Sequence, residues 1–264
     1  MGGMGSTVVR RQLGRMLHEL RVTSGRTIRE LSAAKLGSKA KMSRVEAGQQ
    51  VIRVADVWAW CDFYGADRET VAALSQLAPG TERADWWEPR TVPPSFSIFI
   101  GLERTANRIR CFEPQFVFGL GQTEAYARAV MGTNSRLSPE IVEKRVRLRM
   151  ERQQRSLNGV SVVMAETALR VVVGSPEIMA EQIDHLRALD ADIRVLPFAV
   201  GPPPAPSEGT WALLDFESHA DPSVAYVEGV GGCRYLDKPR DRANYEMSWR
   251  KLVSRSVPIG EWTM

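Results

Sequence analysis

Apolar residues near the start of the chain recur at helical spacing. Leu13, Met16, Leu17 and Leu20 fall at i, i+3, i+4 and i+7, predicting a helix over about 12–24 that buries one stripe. Gly25 ends it, and Thr27 with Glu30 three residues on forms a capping box for a second helix whose Ile28 and Leu31 face inward. Ser38 is a good N-cap for a third helix, which points Met42 and Val45 to the core and stops at Gly48. Val54, Val57, Trp58 and Cys61 repeat the pattern in a fourth helix. Val71, Leu74 and Leu77 do so in a fifth, over about 67–78, before Pro79 breaks it.

Beyond residue 78 the pattern changes. A Pro- and Trp-bearing linker covers 79–96, with Trp86-Trp87 expected to dock on a domain surface, because two exposed indoles are costly. An amphipathic helix is predicted over about 97–110, with Ile98, Leu102, Ala106 and Ile109 on its apolar side. An extended segment (112–119) and helices over about 123–131 and 138–157 follow. From Val160 strands near 160–165 and 169–173 precede a helix at 176–191 and a strand at 192–197. Strands near 210–217 and 223–229 and a final helix over 239–256 close the chain. The expected fold is α+β overall: an all-α five-helix helix-turn-helix domain (1–78), a linker, then a mixed α/β domain (97–264).

Charge sharpens this division. Residues 1–78 carry 12 Lys and Arg against 7 Asp and Glu, and 8–53 alone carry 11 against 3. The remaining residues are balanced, 23 against 24. Such a local excess reads either as a solvated basic face or as a phosphate-binding footprint, where each neutralised phosphate releases counterions. The helix pattern beneath it favours the footprint. In a helix-turn-helix pair the second element meets the major groove. Arg44 then reaches guanine with two donors, Ala40 touches a thymine methyl, and Lys39 and Lys41 serve bases or phosphates. Ser38, Ser43 and Arg53 complete that DNA-facing set. The Arg- and Lys-rich helix at 138–157 reads as a solvated helix laced by Glu143 and Glu151, in preference to a second DNA contact.

The five-helix segment resembles the λ repressor/Cro-like (xenobiotic-response-element) regulators, through Leu13, Gly25, Leu31, Met42 and Ser43-Arg44-Val45-Glu46-Ala47-Gly48. The resemblance implies that Lys39, Ala40 and Arg44 at the start of the third helix read bases, and that Thr27 and Ile28 at the start of the second grip the sugar-phosphate backbone. It also implies an Arg21–Glu46 structural pair. That family's hydrophobic-Gly turn is replaced by Lys35-Leu36, with Gly37 one residue late, so the second helix is expected to extend until Gly37 takes the bend.

The rest resembles the C-terminal domain of actinobacterial WhiJ-like regulators. The landmarks are Trp86-Trp87-Glu88-Pro89, Gly101-Leu102-Glu103, Gly119 to Arg128, Arg149 to Gln153, Val195 to Phe198 and Val224 to Glu228. Phe118 and Gly121 stand where that group has Pro and Leu. The resemblance implies a regulator controlled by a small partner protein, in a developmental or toxin–antitoxin-like pair.

Chemistry is sparse elsewhere. Three scattered cysteines and three scattered histidines form no disulfide framework and no metal-ligand spacing, which fits a reducing cytoplasm. No apolar run is long enough to span a bilayer. The first six residues satisfy an N-myristoylation pattern, but a frayed glycine-rich end is the simpler reading. There is no G-x-S-x-G elbow, phosphate loop or H-E-x-x-H motif, and Glu166, Glu177, Glu181 and Asp184 read as helix-surface carboxylates. The expectation is a non-enzymatic, homodimeric regulator of double-stranded DNA, with no cofactor and no membrane association. A small partner protein or a small-molecule effector would act through its second domain. The alternative is an antitoxin-like protein whose DNA binding is autoregulatory.

Overall fold

Capped, short helices build the first part of the chain. The computed structural model describes residues 7–81, 94–135, 137–154, 157–203, 209–217, 223–229 and 232–263. Helices α1 (Thr7–Thr23), α2 (Ile28–Ala33), α3 (Lys39–Glu46), α4 (Val54–Tyr64) and α5 (Arg68–Leu77) come first, then α6 (Pro94–Thr105). The second half holds β1 (Arg108–Glu113), α7 (Glu124–Gly132), α8 (Pro139–Arg152), β2 (Val160–Ala165) and α9 (Thr167–Arg170). It continues with α10 (Pro176–Ala188), β3 (Asp192–Leu196), β4 (Trp211–Asp215), β5 (Val224–Gly229), β6 (Gly232–Leu236), α11 (Pro239–Arg255) and β7 (Val257–Pro258). Two compact units result, Met1–Leu102 with Val230–Asp237, and Glu103–Gly229 with Lys238–Met264.

In the first unit, α1 begins at Thr7, earlier than the expected 12, because Val8 and Val9 extend its buried stripe with Leu13 and Leu17. The fourth helix is rotated from the expected register. Val54 and Trp58 are 39% and 57% exposed, while Val57, Trp60, Cys61 and Tyr64 face inward at i, i+3, i+4 and i+7. Trp60 wins the interior because its indole N–H finds a partner there, the carbonyl of Leu36 at 3.0 Å.

The turn between α2 and α3 also departs from expectation. The second helix does not extend. It ends at Ala33, and Lys35 takes the left-handed conformation at φ 60°. Lys35 N donates to Ser32 O and Leu36 N to Leu31 O, which is a complete Schellman closure with lysine at the glycine position. Gly37 follows at φ 149°.

In the second unit the strands run β5-β4-β1-β2-β3-β7. Strands β1, β2 and β3 are parallel, β4 and β5 continue antiparallel on one side, and β7 is antiparallel at the other. The sheet therefore grows in opposite directions from β1. Residues 169–173, expected as a strand, belong partly to α9 and the turn after it. The helix expected to reach residue 110 stops at Thr105, so Ile109 lies in β1, and the 17-residue α11 follows the expected closing helix. Phe118 and Gly121 explain each other: a Cβ on Gly121 would fall 2.3 Å from the Phe118 ring. Helix α8 is not simply solvated. Glu143 pairs with Arg128, but Arg152 and Arg149 turn inward, Arg152 binding Glu103 at 3.0 and 2.7 Å. Trp86-Trp87 and most of the 79–96 segment lie outside the described residues.

Candidate nucleic-acid interface

Helix α3 is short, and an eight-residue helix has little stability of its own. Tertiary contacts hold it. Met42 and Val45 are buried on its inner side. Its C-terminal end lies against α1 so closely that a Cβ on Gly14 would fall 2.3 Å from Val45 O. Gly48, at φ 69°, admits no side chain either, since a Cβ there would meet Arg11 Cα at 2.5 Å.

Charge fixes the same end. From α1, Arg21 Nε donates to Glu46 Oε1 at 2.7 Å and Arg21 Nη2 to Oε2 at 2.9 Å, with His18 Nδ1 2.8 Å from Oε2. Burial acts to raise the Glu46 pKa, but the hydrogen bonds from Arg21 and His18 outweigh it and hold the carboxyl below its ordinary value. The clasp confers orientation: α3 cannot rotate without separating these groups.

At the other end, Ser38 caps α3 by accepting from Lys41 N at 3.1 Å. The amides of Lys39 and Ala40 precede the first intrahelical bonds, and the helix dipole makes this end attractive to phosphate. Ser38, Lys39, Ala40, Ser43 and Arg44 are all exposed and share this end and the outer face. Arg44 Nε donates to Gln50 Oε1 at 3.0 Å, which steadies the guanidinium while its Nη groups stay available for a base edge.

The remaining candidates sit differently. Lys41 Nζ is 2.8 Å from Asp56 Oδ2 on α4, half-buried, so it braces α3 against α4. Thr27 is exposed, but its hydroxyl donates to Glu30 Oε2 and accepts from Glu30 N, closing the capping box. Its own amide is also taken by Glu30, at 2.7 Å. Those bonds hold the Glu30 carboxyl below its ordinary pKa. Half-buried Ile28 opens α2, which leaves the first-turn backbone rather than the threonine side chain to meet a phosphate. Arg53 is exposed at the start of α4, on the loop after α3. Gln50, Asp56 and Arg26 were not among the residues singled out from sequence. The guanidinium of Arg26 lies 4.9 Å from the Phe63 ring centroid and carries exposed positive charge beside α2. Two glutamines directly after Gly48 were the available sign of Gln50. Nothing in spacing alone pairs Lys41 with Asp56.

Comparison with known families agrees with this geometry. Residues 12–74 match a family described as a helix-turn-helix domain, and residues 96–261 match a family described as a domain of unknown function (DUF5753). No curated protein and no solved structure matches the chain. The first unit is thus a helix-turn-helix domain of the kind that binds DNA in regulators. Among the described residues, no helix is long and apolar enough to cross a membrane.

Proposed function

Since the chain belongs to the DUF5753 family and carries a helix-turn-helix unit at its N-terminus, we propose that it is a sequence-specific transcription regulator of the Cro-like kind. It acts as a homodimer on double-stranded DNA in the cytoplasm, without catalysis, and its WhiJ-like second unit receives the controlling ligand or partner. The observation that carries this reading is the exposed N-terminal face of α3, Lys39, Ala40, Ser43 and Arg44, on a helix clasped by Arg21 and Glu46. A rigid cationic helix end suits a groove, where a misplaced donor loses discrimination. Docking geometry supports the homodimer, since two reading helices can then enter successive major grooves.

The test is binding of the full chain to its operator, recovered by immunoprecipitation from the source organism. Arg44→Ala should weaken binding to that operator by about 1–3 kcal/mol and relax preference at one base position. Equal weakening on every sequence would make Arg44 a phosphate contact. Equal affinity of the unaltered chain for all sequences would remove the regulator reading. Binding confined to the promoter of a small toxic protein that this chain neutralises would put the antitoxin reading in its place.

A further inference from the structure

Arg110, Arg149 and Arg152 turn into the second unit, and two of these are ion-paired. Arg110 holds Asp215 at 2.8 Å and Glu246 at 2.6 Å. Arg152 holds Glu103. Arg149, one turn before Arg152 on α8, has only the neutral amide of Gln122, whose Oε1 accepts from Nη1 at 2.6 Å. Its Nε is buried with no hydrogen-bond partner, Nη2 makes no hydrogen bond, and no carboxylate lies within ion-pairing distance among the described residues. The residue is half-buried, and this burial, with Arg152 nearby, pulls the Arg149 pKa down to about 10. A buried donor without an acceptor is costly, and folded proteins keep such groups where something else completes them.

Gly119 faces the guanidiniums: a Cβ there would lie 3.7 Å from Arg149 Cζ and Arg152 Nη2, and 3.8 Å from Arg149 Nε. Its φ lies outside the left-handed region, so the missing side chain serves space rather than backbone conformation. Gln122 is locked from behind, its Nε2 donating to Val117 O at 2.6 Å. Beyond Arg149, Glu113 accepts from Thr210 Oγ1 at 2.7 Å, and Glu228 lies near enough to act on both Glu113 and Arg149. Glu113 ends β1, the strand from which the sheet grows in both directions. In open α/β sheets that carboxyl end is where ligands bind.

We propose that the second unit binds a small molecule through a carboxylate or phosphate group anchored on Arg149, in the space left by Gly119 at the carboxyl end of β1. The anion accepts from Nη2 and, after a small turn of the guanidinium, from Nε. Thr210 and Glu113 meet the polar opposite end of the molecule. This deepens the regulatory reading by giving its second unit a ligand class, but its readout needs no DNA, so the two can fail separately.

The full chain is treated with phenylglyoxal, which attacks arginines of lowered basicity, and modification is mapped by mass spectrometry with inorganic phosphate, succinate or matched chloride present. Arg149 should be modified in chloride and slowed about tenfold by phosphate or by succinate once the site is about nine-tenths occupied, whichever protects naming the anion class. Exposed Arg240 on α11 should react alike in all three. Gly119→Ala should keep the fold, read by circular dichroism, and lose the protection. Failure of Arg149 to react, no protection by either anion, or equal protection in Gly119→Ala would each overturn the proposal.

Discussion

The two units treat a partly buried glutamate in opposite ways. Glu46, in the helical unit, is wrapped by Arg21 and His18, so its carboxylate is stabilised and its pKa falls. Glu113, in the α/β unit, gains one hydroxyl from Thr210 while burial and the charge of Glu228 push its pKa up to about 8. The first arrangement satisfies a charge to fix a helix whose other face is presented outward. The second keeps a carboxylic acid neutral beside an arginine that lacks a counter-ion. Charge in the helical unit is a structural clasp; around Arg149 in the α/β unit it is left incomplete, as binding sites are.

The contrast breaks most sharply with pH. Folded Glu113 keeps its proton to about pH 8, against about 4.5 unfolded, so its stabilising contribution is whole below 4.5 and is lost as pH rises toward 8. Glu113→Gln should therefore raise the stability of the second unit at about pH 9, by on the order of 3 kcal/mol, and change little at about pH 4. The buried thiols report each unit separately, Cys61 on α4 and Cys111 on β1. Labelling of Cys111 across a urea series, with a dithiopyridine reagent that works in acid, reads the effect. An unchanged Cys111 midpoint at alkaline pH would show that the folded chain does not raise the Glu113 pKa.

Glu46 runs the other way. Its folded pKa lies below the unfolded value, so its contribution is present above about pH 4.5 and is lost as pH falls through the folded value. Glu46→Gln should lower the Cys61 urea midpoint at neutral pH, by about 2 kcal/mol, since Arg21 loses a charged partner. The deficit should shrink in acid, and Cys111 should not move. A deficit that persists undiminished in acid would mean that shape, rather than charge, holds α3 against α1.

How much of this was legible follows the range of the interaction. The caps at Thr27 and Ser38 depend on residues three apart, and each was found with its side chain on the expected amide. The buried pairs Met42 and Val45, and Leu74 and Leu77, depend on helical spacing and lie where the pattern put them. Choices between two plausible faces were lost. Trp58 and Trp60 are both apolar on one helix, and only the distant carbonyl of Leu36 decides between them. Val171 and Val172 look like strand residues, yet they are 49% and 58% exposed after α9. At the interface, exposure of Lys39 and Arg44 follows from local pattern, whereas the Lys41–Asp56 pair joins two helices and has no local signature. The groups around Arg149 are the extreme case, because they come from β1, α8 and segments some sixty to eighty residues further on.

Lys35 offers the finest adjustment, and it bears on how the reading helix is aimed. It is the non-glycine residue held at positive φ among the described residues, in the turn that sets the approach of α3 to α2. An L side chain in that conformation costs about 1–2 kcal/mol, against which glycine gives up some chain entropy on folding. Lys35→Gly should therefore stabilise the helical unit by about 1 kcal/mol, seen as a higher urea midpoint for Cys61 with Cys111 unmoved. The Schellman bonds from Lys35 N and Leu36 N use only backbone, so they survive the change and α3 keeps its direction. Operator affinity should then fall only by the loss of one exposed positive charge, visible as a shallower salt dependence. Destabilisation instead would mean that the lysine side chain, not the backbone closure, holds the turn.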